Sequence, residues 1–586
     1  MKTQRQSCER AGFRTLGLLL VACGLLTAAF AAPAFGYDTL NFVGAELLSR
    51  PTDHSMTISV VPRTVLAIRF EYGFDTLYGN LTPAETTVAD TPLMTVLNGL
   101  VPDTRYCYRM RYRVLASGDS FIAPGRAFRT QRSWGERYTF AVEADPHMLP
   151  RQGDTAAAFE LTLQTLAASN PDFLIDLGDN FMLDKWRTPP PESILMRMLQ
   201  YRQWWSEVCH SIPLYITLGN HEGEQGWDLD STPTSLPVQF TNARTHYYAN
   251  PIPDGFYSGD SIPEQFVGLR QDYYSWQWGN ALFVVLDPYW HTTTKPHTRE
   301  DNWYWTLGRQ QYDWLKQTLE ASAAKFKFVF IHHLVGGKID STARGGIEYA
   351  HFYEWGGLRS DSTWGFDAMR PGWGVPIHQL LIDNHVDILW HGHDHFYAKQ
   401  DTDGVVYQEC PQPARTQYVE SIPRQAALYG YKSGVFIGSR GYCRVTMDDT
   451  SALVEYVRTF LPSETTQTRR NGMVAHSYSI VKHDSTVISE HPADRAGLSL
   501  TVAPSLFRHR AAINYELPAS GPVQLQVFDA AGKLVRTLQA GNQPSGRHRT
   551  DWDGTDTQGR PSGAGVYFIR CRAETRALTA RLVIVR

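Results

Sequence analysis

Three features are scarce or absent in this chain of 586 residues, and each absence argues against a class of protein. Beyond the amino-terminal region no apolar run reaches the roughly 18 residues that a membrane-spanning helix needs, so no transmembrane span is predicted. Only seven cysteines are present and none has CxxC spacing, which argues against a zinc ribbon and a dense disulfide framework. The formal net charge is -4, so the sequence carries no basic footprint for nucleic acid.

The first 36 residues have the pattern of an export signal. A basic start, an apolar run over residues 16–30 and small residues suited to cleavage predict a signal peptide over residues 1–36. The segment from Leu20 to Cys23 also fits a lipoprotein cleavage motif, but the chain stays apolar after Cys23, where a lipoprotein usually has a polar tether. We therefore expect a secreted, periplasmic or cell-surface protein, with lipid anchoring as the alternative.

Apolar and polar positions alternate in short runs over residues 37–132, as from Ser55 to Val61, with turn residues between the runs. This pattern predicts an all-β sandwich. The segment from Leu97 to Tyr106 resembles the corner that leads into the sixth strand of fibronectin type III modules, including the tyrosine that braces it. The domain is similar to the sandwich that precedes the catalytic domain of purple acid phosphatases.

Strands alternate with helices from Tyr138 onward, which predicts an α/β layered domain. We expect strands at 138–144, 172–177, 213–218, 327–331 and 386–390, and helices at 154–168 and 195–208. A hairpin with a type I′ turn is expected at Gly279-Asn280. Residues 223–275 and 336–374 are expected to be insertions that shape substrate access.

Two segments follow the α/β domain. Residues 461–494 are rich in Ser, Thr and charge and are expected to form a linker or peripheral strands. Residues 495–586 again show short alternating strands and resemble the Ig-like domain of flagellar hook-capping proteins and related carboxyl-terminal modules of secreted bacterial proteins. Because some of those modules act as type IX secretion signals, residues 495–586 are expected to contact secretion machinery or the cell envelope, although fold alone does not assign a role.

Five clusters of metal-ligating residue types follow predicted strands, in the order Asp145-Pro146-His147, Gly178-Asp179-Asn180, Gly219-Asn220-His221-Glu222, His332-His333 and Gly392-His393-Asp394-His395. Each cluster alone is weak evidence for a metal site. In an α/β domain, however, ligands collect at the carboxyl ends of the strands, and all five clusters stand at such ends. Two divalent ions about 3.5 to 4 Å apart need a bridging carboxylate, and each ion needs imidazole, carboxylate or amide donors. Asp179 is the natural bridge. The sequence therefore predicts a dinuclear metal centre suited to phosphate esters.

These motifs resemble those of the calcineurin-like metallophosphoesterase superfamily, which run DxH, GDx, GNH(D/E), H and GHxH. The resemblance covers residues 136–460 and implies a central α/β domain of four layers there, a β-sandwich flanked by helices. The resemblance implies that one metal is held by Asp145, His147, Asp179 and His395 and the other by Asp179, Asn220, His332 and His393. It also implies that His221 hydrogen-bonds the phosphate and protonates the leaving alkoxide, with Glu222 orienting His221 or Asn220 from behind. Asn180 is expected to contact the phosphate or to support the ligands.

Two positions separate this chain from the purple acid phosphatases. Those enzymes have a tyrosine three residues after the bridging aspartate and a glycine in the first motif, whereas this chain has Met182 and His147. We therefore expect Mn, Zn or Fe(II) as the metals and no purple charge-transfer colour. In the fourth motif His332 is the expected ligand, with His333 as the alternative.

Together the motifs predict a secreted, metal-dependent phosphoesterase that hydrolyses phosphomonoesters by attack of a metal-bound hydroxide. A phosphodiesterase or nucleotidase would use the same centre, and a diester would need room for a second substituent beside the two insertions. A rival of another class is a non-catalytic cell-surface binding protein with a degenerate central domain. Intact ligands in every cluster argue against this rival.

Overall fold

The computed structural model describes residues 37–148, 153–185, 189–297, 300–338, 342–482, 499–503, 506–507, 511–529, 532–573 and 576–584. The chain falls into two compact units that divide after Lys482. The predicted signal peptide, residues 1–36, lies outside the described residues. Within the described ranges, no helix is long and apolar enough to cross a membrane.

Residues 37–132 form a β-sandwich at the start of the first unit. Its strands are β1 (Leu47–Ser49), β2 (Ser55–Val60), β3 (Leu66–Gly73), β4 (Asn80–Leu81), β5 (Glu85–Thr86), β6 (Leu93–Asn98), β7 (Arg105–Val114), β8 (Ser120–Ile122) and β9 (Arg126–Arg129). β1, β2 and β6 make one sheet, and the other six strands make the second. Tyr106 braces the corner before β7, because its hydroxyl accepts a hydrogen bond of 2.9 Å from the backbone N–H of Val101.

Two facing sheets form the body of the central domain. Their strands are β10 (Tyr138–Glu143), β11 (Leu174–Asp176), β12 (Leu214–Ile216), β13 (Ser258–Gly259), β14 (Tyr274–Trp278), β15 (Ala281–Val285), β16 (Phe326–Phe330), β17 (Ile388–His391), β18 (Tyr397–Thr402), β19 (Val405–Glu409), β20 (Val435–Ile437), β21 (Gly441–Met447), β22 (Ser451–Arg458) and β23 (Met473–Val481). One sheet has the order β12–β11–β10–β21–β22–β23, and the other has the order β13–β14–β15–β16–β17–β19–β18–β20. β10, β11 and β12 run parallel, as do β15, β16 and β17, so residues that follow them collect at one edge of each sheet.

Helices cover the outer faces of both sheets. They are α1 (Gly153–Ala167), α2 (Pro191–Cys209), α3 (Leu236–Tyr247), α4 (Gly308–Ala321), α5 (Tyr353–Gly356), α6 (Phe366–Met369), α7 (Ile377–Asp383) and α8 (Pro423–Leu428). Phe140, Phe283 and Trp390 belong to the buried cluster between the sheets. α1 and α2 pack on the outer face of the six-stranded sheet, and α4 and α7 pack on that of the eight-stranded sheet. The four-layer arrangement predicted from the sequence is therefore confirmed.

Two local features differ from the sequence-based expectation. Residues 223–275 contain α3, which the sequence analysis did not foresee; its Arg244 is buried and pairs with Glu224 at 2.6 Å. At the β14–β15 turn only Gly279 has a positive φ, of 55°, and Asn280 does not. Because a type I′ turn needs positive φ at both positions, that prediction is wrong.

The N-terminal sandwich and the central domain share a buried polar boundary. The guanidinium of Arg202 on α2 is fully buried and donates to the backbone oxygens of Ser59 at 2.5 Å and Tyr247 at 3.2 Å. The hydroxyl of Tyr108 in β7 donates to the backbone oxygen of His210 at 2.7 Å. Because a buried charge without hydrogen-bond partners is strongly destabilising, these contacts join the two domains into one unit.

The second unit is a two-sheet β-sandwich. Its strands are β24 (Ser499–Ala503), β25 (Leu506–Phe507), β26 (Ala511–Leu517), β27 (Gly521–Asp529), β28 (Leu534–Gln543), β29 (Gly546–Trp552), β30 (Gly565–Ala573) and β31 (Arg576–Ile584). β24, β26 and β29 form one sheet, and the other five strands form the second. Leu525, Trp552 and Ile569 lie in the core between them.

Candidate metal centre

All seven side chains that the sequence singles out as metal ligands meet at one edge of the two sheets. Their positions after β10, β11, β12, β16 and β17 put them there. Positive φ values between 50° and 78° occur at five of the seven, which are Asp145, His147, Asp179, His393 and His395. Because this left-handed region is unfavourable for side-chain-bearing residues, such strain is characteristic of functional sites.

The first donor group consists of Asp145, His147, Asp179 and His395, whose ligand atoms lie within 4.8 Å of one another. His147 Nε2 lies 3.5 Å from Asp145 Oδ1 and 3.1 Å from Asp179 Oδ2. His395 Nε2 lies 3.5 Å from Asp145 Oδ1. Two imidazoles and two carboxylates around one point suit a divalent transition-metal ion.

The second donor group shares Asp179 with the first and adds His332 and His393. His332 Nε2 lies 3.3 Å from Asp179 Oδ2 and 3.2 Å from the side-chain oxygen of Asn220. His332 Nδ1 lies 2.8 Å from the backbone oxygen of Leu177, a contact that orients the ring and leaves Nε2 facing the centre. The centre thus has one carboxylate common to two sets of donors.

Buried polar atoms that have no hydrogen-bond partner in the described part of the chain converge in this centre, namely Asp145 Oδ1, His147 Nε2, Asp179 Oδ2 and His393 Nδ1. The backbone fixes the other carboxylate oxygens: Asp145 Oδ2 accepts from the N–H of His393 and Asp179 Oδ1 from the N–H of His221, both at 2.8 Å. Buried polar atoms are rarely unpaired in proteins. Two divalent cations would satisfy them, so the residues fit the predicted dinuclear centre.

Opposite charges dominate the electrostatics of the centre. Burial favours the neutral form of an imidazole and so lowers its pKa. At His147 the carboxylates of Asp145 and Asp179 outweigh burial and raise the pKa to about 10. At His332 the same two carboxylates raise the pKa to about 9. Burial also opposes ionised Asp179, yet His332 and His221 hold its pKa well below the usual range. Metal ions that take these nitrogens must displace protons, so metal uptake is expected to release protons.

Glu222 holds the loop that carries the bridging carboxylate. Its buried side chain accepts hydrogen bonds from four backbone N–H groups, those of Gly219, Asp179, Asn180 and Phe181. The family resemblance implies that Glu222 orients His221 or Asn220. In the structure the hydrogen bonds of its carboxylate go instead to the backbone N–H groups of Gly219 and of residues 179–181.

Asn180 faces the interior. Its side-chain nitrogen donates to Asp176, which also accepts the N–H of Gly178 at 2.9 Å. Of the two roles expected for Asn180, this arrangement favours support of the ligand loop over contact with a phosphate.

Replacing Glu222 by glutamine is expected to destabilise the protein by about 3 kcal/mol, because an amide nitrogen would face backbone N–H groups that now have acceptors. Metal affinity is expected to fall about 10- to 100-fold as Asp179 loses its fixed position. Chemical denaturation and metal titration of the variant check both effects. Stability and affinity equal to those of a Glu192→Gln control, at an exposed position of α2, would contradict this role.

Two carboxylates that the sequence analysis missed also support the site. Asp184 Oδ1 lies 2.7 Å from His221 Nδ1, and His221 Nε2 lies 3.7 Å from Asp179 Oδ2. Glu409, at the end of β19, accepts the backbone N–H groups of Asp394 at 2.9 Å and His395 at 3.2 Å. The signal for Asp184 was its place five residues after Asp179; Glu409 has no motif around it.

A buried aromatic group lies beside the second donor group. The rings of Tyr289, Trp305 and His333 lie 4.6 to 6.1 Å from one another, and His333 lies 5.3 Å from the ring of His393. Tyr289 Oη, Trp305 Nε1 and His333 Nε2 have no hydrogen-bond partner among the described residues. His333 belongs to neither donor group, so the geometry favours His332 as the ligand.

Comparison with known proteins agrees with this arrangement. Residues 138–397 match the family model for the calcineurin-like phosphoesterase, and residues 506–577 match that for the FlgD Ig-like domain. The solved structure of PhoD is similar over 76% of this chain and 91% of that chain, with 15% identity and a TM-score of 0.53. A purple acid phosphatase from yellow lupin (Lupinus luteus) seeds is similar over 76% of both chains, with 14% identity and a TM-score of 0.50. No curated protein matches the chain. At these identities the solved structures show likeness of fold alone.

Proposed function

We propose that this chain is a secreted enzyme that hydrolyses phosphomonoesters with two divalent ions. The match of residues 138–397 to the calcineurin-like phosphoesterase family indicates a metal-dependent phosphoesterase. The observation that carries the proposal is the pair of donor groups that share Asp179. A carboxylate common to two sets of donors is what a dinuclear centre requires.

The candidate ligands of the two ions are Asp145, His147, Asp179, Asn220, His332, His393 and His395. When bound, the ions supply Lewis acidity toward the phosphoryl oxygens. Nitrogen and oxygen donors of these types suit Mn, Zn or Fe. Met182, at the position of the purple acid phosphatase tyrosine, is buried and has no phenolate to offer, so a purple colour is not expected.

His221 is the proposed proton donor to the leaving oxygen. It belongs to neither donor group, and its side chain is 14% exposed, so a substrate can reach it. The carboxylate of Asp184 fixes Nδ1 and leaves Nε2 facing the centre, 3.7 Å from Asp179. Proton transfer from a positioned imidazole is the usual form of general acid catalysis.

The second insertion supports the choice of monoesters, because Thr342 and Arg344 lie against His393. The backbone oxygen of Thr342 lies 2.9 Å from His393 Nε2. Arg344 donates to the backbone oxygen of His393 at 2.6 Å and to Asp394 at 3.0 Å. A diester needs room for a second substituent, and these two residues take up room beside His393, which disfavours a diester. Phosphodiester or nucleotide hydrolysis is the alternative with the same centre.

Secretion is the second part of the proposal. The export pattern of residues 1–36 supports it, as does the FlgD Ig-like match in the second unit. We assign contact with secretion machinery or the cell envelope to residues 495–586.

Hydrolysis of p-nitrophenyl phosphate and bis-p-nitrophenyl phosphate tests the reaction. The purified chain is treated with a chelator and then supplied with Mn, Zn or Fe(II), beside His221→Ala and a control, His246→Ala, whose imidazole is exposed on α3. We expect metal-restored turnover in the wild type and the control, at least about tenfold faster on the monoester, and only a modest loss in His221→Ala because p-nitrophenolate leaves without a proton.

The other outcomes assign the alternatives. Faster turnover of the diester would move the assignment to a phosphodiesterase. No turnover of either ester, with two bound ions that an Asp179→Asn variant loses, would favour the non-catalytic surface protein.

A further inference from the structure

We propose that His351, His378 and Asp403 form a separate site for one zinc-like divalent ion, which fastens the second insertion to the body of the domain. One donor atom of each residue lies within 4.8 Å of the others. Asp403 Oδ2 lies 3.1 Å from His378 Nε2 and 3.8 Å from His351 Nε2. Zinc–ligand bonds of roughly 2.0 to 2.2 Å in tetrahedral geometry place the donors about 3.3 Å apart, so only a small adjustment is needed.

The three donors come from three different elements. His351 lies in the second insertion just before α5, His378 lies in the first turn of α7, and Asp403 lies in the β18–β19 turn with a φ of 52°. α5 and α7 pack against each other. His378 of α7 contacts the β18–β19 turn through the carboxylate of Asp403. An ion at this point would join all three elements.

This site is distinct from the dinuclear centre. β19 runs parallel to β17, with Val406 opposite Ile388 and Glu409 opposite His391. Asp403 precedes β19, whereas His393 and His395 of the dinuclear centre follow β17. The two sites therefore lie at opposite ends of these parallel strands. The six residue steps from Asp403 to Glu409 correspond to roughly 20 Å of extended chain.

Burial and donor type suit the three residues for a metal. The side chain of His378 is 4% exposed, which anchors the site, while those of His351 and Asp403 are 50% and 37% exposed, which lets an ion enter. The site thus offers two imidazole nitrogens and one carboxylate oxygen, which are donor types that zinc takes in proteins.

A buried hydrogen-bond chain orients His378 from behind. Trp355 Nε1 donates to the hydroxyl of Tyr407 at 2.8 Å, and that hydroxyl lies 2.7 Å from His378 Nδ1. Without an ion, His378 Nε2 carries a proton toward Asp403. With an ion on Nε2, the proton sits on Nδ1 and is donated to Tyr407, which accepts two hydrogen bonds. Such second-layer partners are typical of metal-bound histidines.

Zinc content per chain tests this site. The wild type, saturated with Zn²⁺ and dialysed, is expected to hold three ions, and His351→Ala and Asp403→Asn are expected to hold two. Turnover of p-nitrophenyl phosphate by these variants should stay within about twofold of the wild type, because neither residue belongs to the catalytic centre. The control His246→Ala should keep all three ions.

A second background keeps the test decisive if the dinuclear centre behaves unexpectedly. In Asp179→Asn, one ion should persist, and adding His351→Ala should remove it. Zinc content unchanged by His351→Ala in both backgrounds would overturn the inference, as would an Asp179→Asn variant that holds none. If the wild type shows no phosphoesterase activity but loses one ion on His351→Ala, this site stands and the proposed function fails.

Discussion

The Asp179→Asn variant is expected to lose at least about a thousandfold in turnover, because Asp179 belongs to both donor groups. Its Oδ2 lies 3.1 Å from His147 Nε2 and 3.3 Å from His332 Nε2. This oxygen has no hydrogen-bond partner among the residues that the structure describes. Asparagine has nearly the same shape but no charge and a single oxygen. Loss of about 4 kcal/mol of transition-state stabilisation corresponds to a thousandfold slower rate.

Two measurements check this prediction. Turnover is compared at saturating metal, and metal content is compared after dialysis; we expect the variant to lose both ions of the dinuclear centre. Asp313→Asn serves as the matched control, because Asp313 is an exposed carboxylate on α4. An Asp179→Asn variant with turnover within tenfold of the wild type would show that the two donor groups do not share this carboxylate.

The His221→Ala variant is expected to lose about a hundred- to ten-thousandfold in turnover of alkyl phosphates while retaining its metals. The metals stay because His221 is not a member of either donor group. The loss is expected to be much smaller with p-nitrophenyl phosphate, since p-nitrophenolate leaves without a proton. Turnover across a series of leaving groups of increasing basicity measures this difference.

Asp184→Asn separates positioning from proton donation. Asp184 contacts His221 Nδ1 at 2.7 Å, so its loss is expected to slow alkyl phosphate hydrolysis about 10- to 100-fold, with the same dependence on the leaving group. Equal losses for every leaving group, in either variant, would assign His221 to phosphate binding instead of proton transfer.

The metal-ligating residues could be predicted because each stands directly after an apolar strand. Strand pattern and ligand type are both local in sequence, so Asp145 after β10 and His332 after β16 were placed without a structure. The parallel order of the strands then decides that they meet. The alternation of strands and helices predicted only a layered α/β domain, and the two facing sheets with helices outside were implied by the family resemblance.

The supporting contacts could not be predicted, because tertiary packing chooses the partners. Glu409 reaches the backbone of Asp394 and His395, 15 and 14 residues earlier in the chain, and nothing in its strand pattern marks it. Glu222 was predicted to support the site, but three of its four backbone partners lie 41 to 43 residues away in the chain. α3 was not predicted, because its buried face includes Arg244, and an arginine in a sequence usually indicates a position on the surface.

The buried boundary around Arg202 limits how this protein can have evolved. A recombination event that delivered the catalytic domain without the N-terminal sandwich would remove the acceptor at Ser59, and it would also remove Val43 and Leu47 from the buried cluster that includes Trp205 of α2. Such a chimera would fold poorly until the residues of α2 that the sandwich covers had changed. The two domains are therefore expected to have been inherited as a pair, and sequences that lack the sandwich should carry polar residues at these positions of α2.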